Sequence, residues 1–144
     1  MPILQQPLVG FSTAKAPNLS RREVQERLSR SAILAFFKLI DAWNVRDEAA
    51  RRLLGGVSNG VYYQLKRGQK KVLDQDKLTR ISLLVGMFKA LNILYSRKLA
   101  DTWITLANSN PMFAGEAPLD YMIQGGVPAL MRVRQLLDAR RSGR

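Results

Sequence analysis

From Leu78 to Tyr95 the chain places Leu78, Ile81, Leu84, Val85, Met87, Phe88, Leu91, Ile93, Leu94 and Tyr95 at steps that cover more than one face of a helix. A helix apolar that far round has to be buried on several sides, so the rest of the chain must pack around it. Asp74 to Asp76 open this helix and Ser96 closes it. It is placed to bridge the halves of the chain on either side of it, and it is also suited to pairing with its own copy in a dimer. A chain of 144 residues can bury one moderate core, or two small ones that share such a helix.

The sequence before it is helical too. Residues 1–18 hold Pro2, Pro7, Gly10 and Pro17 and no helical period, so they read as an extended arm. Its Ile3, Leu4, Leu8, Val9 and Phe11 are apolar enough to pack, either on this chain's core or on a second copy. Ser20 and Glu23 stand as N-cap and N3 of a capping box, with Leu19 and Val24 as a hydrophobic staple. From Arg21 to Trp43 the apolar residues recur at three- and four-residue steps, predicting one helix or two with a bend near Ser29 to Ser31. Asn44-Val45 ends it.

Arg46 to Leu54 reads as the next helix, with Ala49, Ala50, Leu53 and Leu54 inward, and it stops at Gly55-Gly56. Ser58 or Asn59 then caps a short helix over Gly60 to Lys66, whose Val61 and Leu65 lie one turn apart. Helix, glycine turn and helix together read as a helix-turn-helix, whose second helix enters the DNA major groove. Arg51, not a small residue, stands four positions before Gly55, and Ala50 is one off, which predicts an enlarged turn. With Val61 and Leu65 inward, Asn59, Tyr63, Lys66 and Arg67 point outward and Tyr62 and Gln64 flank them. The candidate DNA-binding residues are therefore Ser58, Asn59, Tyr62, Tyr63, Gln64, Lys66, Arg67, Lys70 and Lys71. Asn and Gln suit adenine edges, Arg suits guanine, and the lysines suit phosphates. The alternative is a degenerate helix-turn-helix kept only as scaffold.

Charge supports the same placement. Residues 31–100 carry 13 Lys/Arg against 5 Asp/Glu, whereas residues 101–144 carry 5 against 4, so the basic surface belongs to the middle of the chain. That is the footprint of nucleic-acid binding, or else a solvated basic face. No cysteine means no disulfide and no thiolate nucleophile; no histidine removes the commonest general base and metal ligand. There is no phosphate-binding loop, dinucleotide fingerprint or metal-ligand cluster. Asp74 and Asp76 could share a cation, or act as partners of a helix dipole. No catalytic site, cofactor or metal is expected. No apolar run is long enough to cross a bilayer, and Pro2 and Pro7 interrupt the start, so a cytoplasmic protein without a secretory signal is expected.

After the bridging helix, Arg97 to Ala107 reads as a helix carrying Leu99, Trp103, Ile104 and Leu106, broken by Asn108 to Pro111. Phe113 is an anchor in a polar, glycine-bearing turn. Pro118 starts a short helix over Leu119 to Gln124 that ends at Gly125-Gly126, and Pro128 opens the last helix, with Leu130, Val133 and Leu137 on one face. The order Trp103, Asn110-Pro111, Phe113, Gly115, Pro118-Leu119-Asp120 and Gly125-Gly126 resembles the toxin-binding domain of Xre-type antitoxins, the partners of RES-domain toxins in bacterial toxin-antitoxin operons. The resemblance covers the middle and C-terminal regions but not the first 30 residues.

The resemblance implies a cognate RES-domain toxin, similar in fold to ADP-ribosyltransferases, that depletes NAD. The antitoxin's C-terminal region covers that toxin's active-site cleft, while its helix-turn-helix takes part in repressing the operon. Candidate toxin-binding residues are Asn110, Phe113, Asp120, Arg132, Arg134, Arg140, Arg141 and Arg144, the arginines being able to pair with acidic groups. The chain is thus expected to be all-α and non-enzymatic: residues 1–30 an arm and first helix, 31–96 a helix-turn-helix domain with the bridging helix, and 97–144 a toxin-binding domain. Its expected partners are the toxin, operator DNA and a second copy, with no membrane. An autonomous helix-turn-helix regulator without a toxin is the alternative, and basicity alone also allows a small RNA-binding protein.

Overall fold

The helix apolar on several sides lies between the first helix and the C-terminal helices. The computed structural model describes residues 17–143, so the expectations for residues 1–16 and for Arg144 lie outside the described residues. The elements run α1 (Arg22–Ala42), α2 (Asp47–Leu53), α3 (Asn59–Lys66), α4 (Gln75–Leu94), α5 (Arg97–Thr102), two single-turn 3-10 helices (Trp103–Thr105 and Pro111–Phe113), and α6 (Pro118–Arg141). Among the described residues every regular element is helical. α4 packs against α1 on one side and against α5 and α6 on the other. Its Leu78, Ile81, Leu84, Met87, Ala90 and Leu91 are buried within one core that runs from Ile33 of α1 to Leu137 of α6. Ile93, expected inside, is 63% exposed, because the helix ends one residue later and none of the described residues covers that side.

α1 is one unbroken helix, but it starts later than the capping box predicts. Arg21 is its N-cap without a side-chain bond; Ser20 instead donates from both N–H and hydroxyl to the Asn18 carboxamide oxygen, at 3.1 and 2.6 Å. A turn on Asn18 has outcompeted the cap on Ser20. No bend appears at Ser29, whose hydroxyl donates to Gln25 O at 2.5 Å and accepts from Leu73 N–H at 2.7 Å. That buried serine fastens α1 to the segment after α3. Asn44, at φ 55°, ends α1, with the N–H of Val45 returning to Ile40 O at 3.0 Å and that of Asn44 to Asp41 O at 3.0 Å. This is the paired closure that a left-handed residue permits.

At the start of α4 the two acids considered as a cation pair are each occupied by the chain itself. Asp74 caps the helix, accepting from Lys77 N–H at 2.9 Å, and Asp76 pairs with Arg80 at 2.9 Å. α5 is shorter than expected and tightens into a 3-10 turn at Trp103. Thr102 contributes by donating its hydroxyl to Lys98 O at 3.1 Å and Leu99 O at 3.2 Å, and this tightening buries both Trp103 and Ile104. α6 runs from Pro118 to Arg141 but breaks at Gly126, where φ 66° and ψ −152° lie in a region open essentially to glycine alone. Pro128, two residues on, has no N–H for the helical ladder, which is why the break falls here.

Candidate nucleic-acid and toxin interfaces

Two surfaces carry the candidate residues, one on each side of α4. The first is α2, the connector Leu54 to Ser58, and α3. The connector is long, in line with the predicted enlarged turn, and Ala50 rather than Arg51 takes the interior position, 0% exposed. Arg51 lies along the outside of the turn and braces it, donating to Val57 O at 2.7 Å and pairing with Glu48 at 2.9 Å. Ser58 caps α3 by accepting from Val61 N–H at 3.2 Å.

α3 is turned by about one residue from the expected face. Tyr62 and Leu65 are the buried pair, at 1% and 2% exposure, and Val61 is only half-buried. Tyr62, expected on the flank as a DNA-contacting residue, is core, packed edge-on to Phe37 and to Tyr63. Ser58, Asn59, Tyr63, Lys66 and Arg67 are exposed, Gln64 is half-buried, and Lys70 and Lys71 are exposed on the segment after α3. Asn59, Tyr63, Lys66 and Arg67 fall at helical spacing on the outer side of α3.

Asp47 organises that face, and sequence reasoning misses it. Its carboxylate accepts from the Tyr62 hydroxyl at 2.7 Å, from the Lys66 ammonium at 2.8 Å and from the Tyr63 hydroxyl at 3.4 Å. The Lys66 hydrogen bond first, and then that of Tyr62, hold the Asp47 carboxyl below its ordinary range. The same bond raises Lys66, and burial followed by the Asp47 bond raises Tyr62. No short-range pattern links Asp47 to residues 15 to 19 positions later. The one available signal is an acid opening a helix amid bases.

The second surface is built on the break after α5. Asn108 accepts from Asn110 N–H at 2.9 Å, and Asn110 accepts from Met112 N–H at 2.9 Å, which closes the turn onto Pro111–Phe113. Phe113, expected to contact a toxin, is 1% exposed: its ring lies edge-on to Trp103 at 6.0 Å and to Tyr121 at 5.3 Å. The motif is therefore a pin that fixes the first half of α6. Asn110 is half-buried and serves as a cap, so its contribution is to the same pin.

The arginines divide. Arg132 and Arg141 are exposed, as is Asp120 in the first turn of α6. Arg134 is half-buried, pairs with Asp138 at 3.0 Å, and lies so closely over Gly86 of α4 that a Cβ there would meet its guanidinium at 1.9 Å. Arg140 is half-buried and donates to the Tyr95 hydroxyl at 3.4 Å. The sequence points those two away from the core, and both instead lean on α4. Met131, 46% exposed beside Arg132, is missed by sequence reasoning; its signal is that it falls off the Leu130, Val133, Leu137 stripe. Between the two surfaces, Gly55-Gly56 and Gly125-Gly126 face a cleft of about 320 Å³ lined also by Arg52 and Arg80.

The division into two surfaces agrees with what the chain is similar to. Residues 22–86 match the antitoxin Xre-like helix-turn-helix domain, and residues 90–143 match the antitoxin Xre/MbcA/ParS C-terminal toxin-binding domain. The chain belongs to the Xre-type antitoxins. Among its relatives is "Uncharacterized protein y4oB" of Sinorhizobium fredii (strain NBRC 101917 / NGR234), 36% identical over 110 residues, which are 76% of this chain and 83% of that protein. No solved structure matches. As an Xre-type antitoxin the chain unites a helix-turn-helix with a toxin-binding domain, and α4 is the helix the two share. No helix of the described residues is long and apolar enough to cross a membrane.

Proposed function

We propose that this antitoxin neutralises a RES-domain toxin that depletes NAD, by covering the toxin's active-site cleft. As a homodimer in the cytoplasm it also binds operator DNA through α3 and the segment after it, and so represses its own operon. The observation that carries the first role is the outer face of the last half of α6. Met131 and Arg132 are exposed there within the domain matched as toxin-binding, and Arg141 is exposed at the end of the helix. A large apolar side chain beside an arginine is a composition that protein-protein contacts favour. Arg132, Arg141, Asp120 and, at the terminus, Arg144 are the residues assigned to the toxin. Asn110, Phe113, Arg134 and Arg140 support them from beneath.

For DNA, Asn59 and Tyr63 are assigned to bases and Arg67, Lys70 and Lys71 to phosphates, with Lys66 held in reserve by Asp47. Coexpression with the adjacent open reading frame tests the toxin role. The toxin alone should lower cellular NAD, and the antitoxin should restore it and copurify as a complex. An adjacent product that neither binds this chain nor changes NAD would favour an autonomous helix-turn-helix regulator.

A further inference from the structure

Three side chains of α3 converge on one acid of the helix before it. The Asp47 carboxylate takes the hydroxyls of Tyr62 and Tyr63 and the ammonium of Lys66, and that ammonium also lies 6.0 Å from the centre of the Tyr63 ring. Lys66 and Asp47 have 46% and 38% of their side-chain surfaces exposed, so solvent and ions reach the pair from outside. A half-exposed pair of this kind is held weakly, and a second anion can compete for the ammonium. Tyr62 explains why the acid is there at all. Its hydroxyl is carried into the core and needs an acceptor, which Asp47 provides whether or not Lys66 is present.

We propose that Asp47 is an internal stand-in for a DNA phosphate. In the free protein it holds Lys66 and Tyr63 against α2. A duplex must draw Lys66 away from it, so this acid lowers the affinity of the helix-turn-helix for duplex and sets how steeply binding falls with salt. The cause is charge, given α3 and the segment after it as the DNA-binding elements proposed above. Paired with Asp47, Lys66 adds no net charge to the potential that phosphates meet. With the carboxylate neutralised, one positive charge returns to the face shared with Arg67, Lys70 and Lys71, and one more counterion is released on binding.

The test uses the full chain and a mixed-sequence duplex, with fluorescence anisotropy over a salt series. Asp47→Asn keeps an oxygen for Tyr62 but loses the charge. It should bind roughly three- to tenfold tighter at low salt, with a slope of log affinity against log salt steeper by about 0.9. Asp47→Glu should keep the wild-type slope, and Lys66→Ala added to Asp47→Asn should erase the gain. Binding by Asp47→Asn that matches wild type, or is weaker at every salt, would overturn the role of Asp47 while leaving the DNA-binding reading in place. No duplex binding by either protein at low salt would remove that reading, and the proposal with it. Should Asp47→Asn lose the wild-type circular dichroism, the unaltered protein decides through the ¹⁵N resonance of the Lys66 ammonium. A shift on saturation with duplex supports release, and an unmoved resonance refutes it.

Discussion

Tyr62 shows how one side chain decides which face of a short helix is core. Val61 with Leu65 and Tyr62 with Leu65 are both helical pairings, so periodicity alone allows either. An aromatic ring with a hydroxyl reads as surface until its acceptor is known. Here the acceptor, Asp47, lies 15 residues earlier and brings the hydroxyl into the core at 2.7 Å. Tyr62→Phe should cost about 1 kcal/mol in denaturant midpoint measurements, the net worth of one such hydrogen bond. The acids give a pH dependence. Asp47 and Asp74 both have folded-state pKa values below the ordinary 3.8, so their stabilisation is complete above that value and is lost as pH falls through the lower, folded values. Urea midpoints should therefore drop below about pH 4, and Asp47→Asn should shrink that drop; an acid limb identical to wild type would show that the carboxylate gains nothing on folding. Tyr62 and Lys66 are raised, so their contribution is present below their ordinary values and fades in strong alkali.

Helices are legible as elements in the sequence, and so are the ends that a left-handed residue closes. Asn44 and Gly55 each end a helix where the sequence places the end, because a left-handed residue there leaves the backbone one way to close. Starts depend on which of several polar side chains wins a competition, as Asn18 wins over Ser20. The central position of α4 is legible from its apolar spread. The crossing of Arg134 over Gly86 is not, since it pairs positions 48 apart that make no pattern in either helix. Leu84 and Leu91 are both 0% exposed, so replacing either with Ala should cost on the order of 2 to 5 kcal/mol and unfold both domains in one transition. A melting curve within two or so degrees of wild type would remove α4 from the centre of the fold. Gly126→Ala should cost about 1 to 3 kcal/mol, because the break in α6 needs a backbone angle that a Cβ opposes. If its melting temperature instead equals wild type, α6 has straightened, and inhibition of the toxin should fail with it.

At the scale of the molecule, α4 joins a basic face to a near-neutral one, and the two can be lost separately. Arg67, Lys70 and Lys71 lie on the first face. Replacing all three with Ala should flatten the salt slope of duplex binding, which for about 4 to 6 neutralised phosphates is roughly −4 to −5. Toxin inhibition should be untouched by that change. The resemblance identifies the second face only in outline. It points to the right third of the chain, yet the residues that make its order recognisable, Trp103, Phe113 and Pro118 among them, are buried ones that build the domain. The contact residues proposed above, Asp120 apart, lie outside that pattern, which is why Met131 could not be read from it. Removing residues 138–144 leaves Leu137 in the core but takes away Arg140, Arg141, Arg144 and the partner of Arg134. The central claim is that this end of α6 blocks a NAD-consuming active site, and NAD turnover by the purified RES-domain partner tests it most directly. With saturating full-length antitoxin, turnover should stop; with the truncated form it should recover while the complex persists in gel filtration. Full inhibition by the truncated antitoxin would contradict the claim, as would undiminished turnover in the complex with the full-length chain.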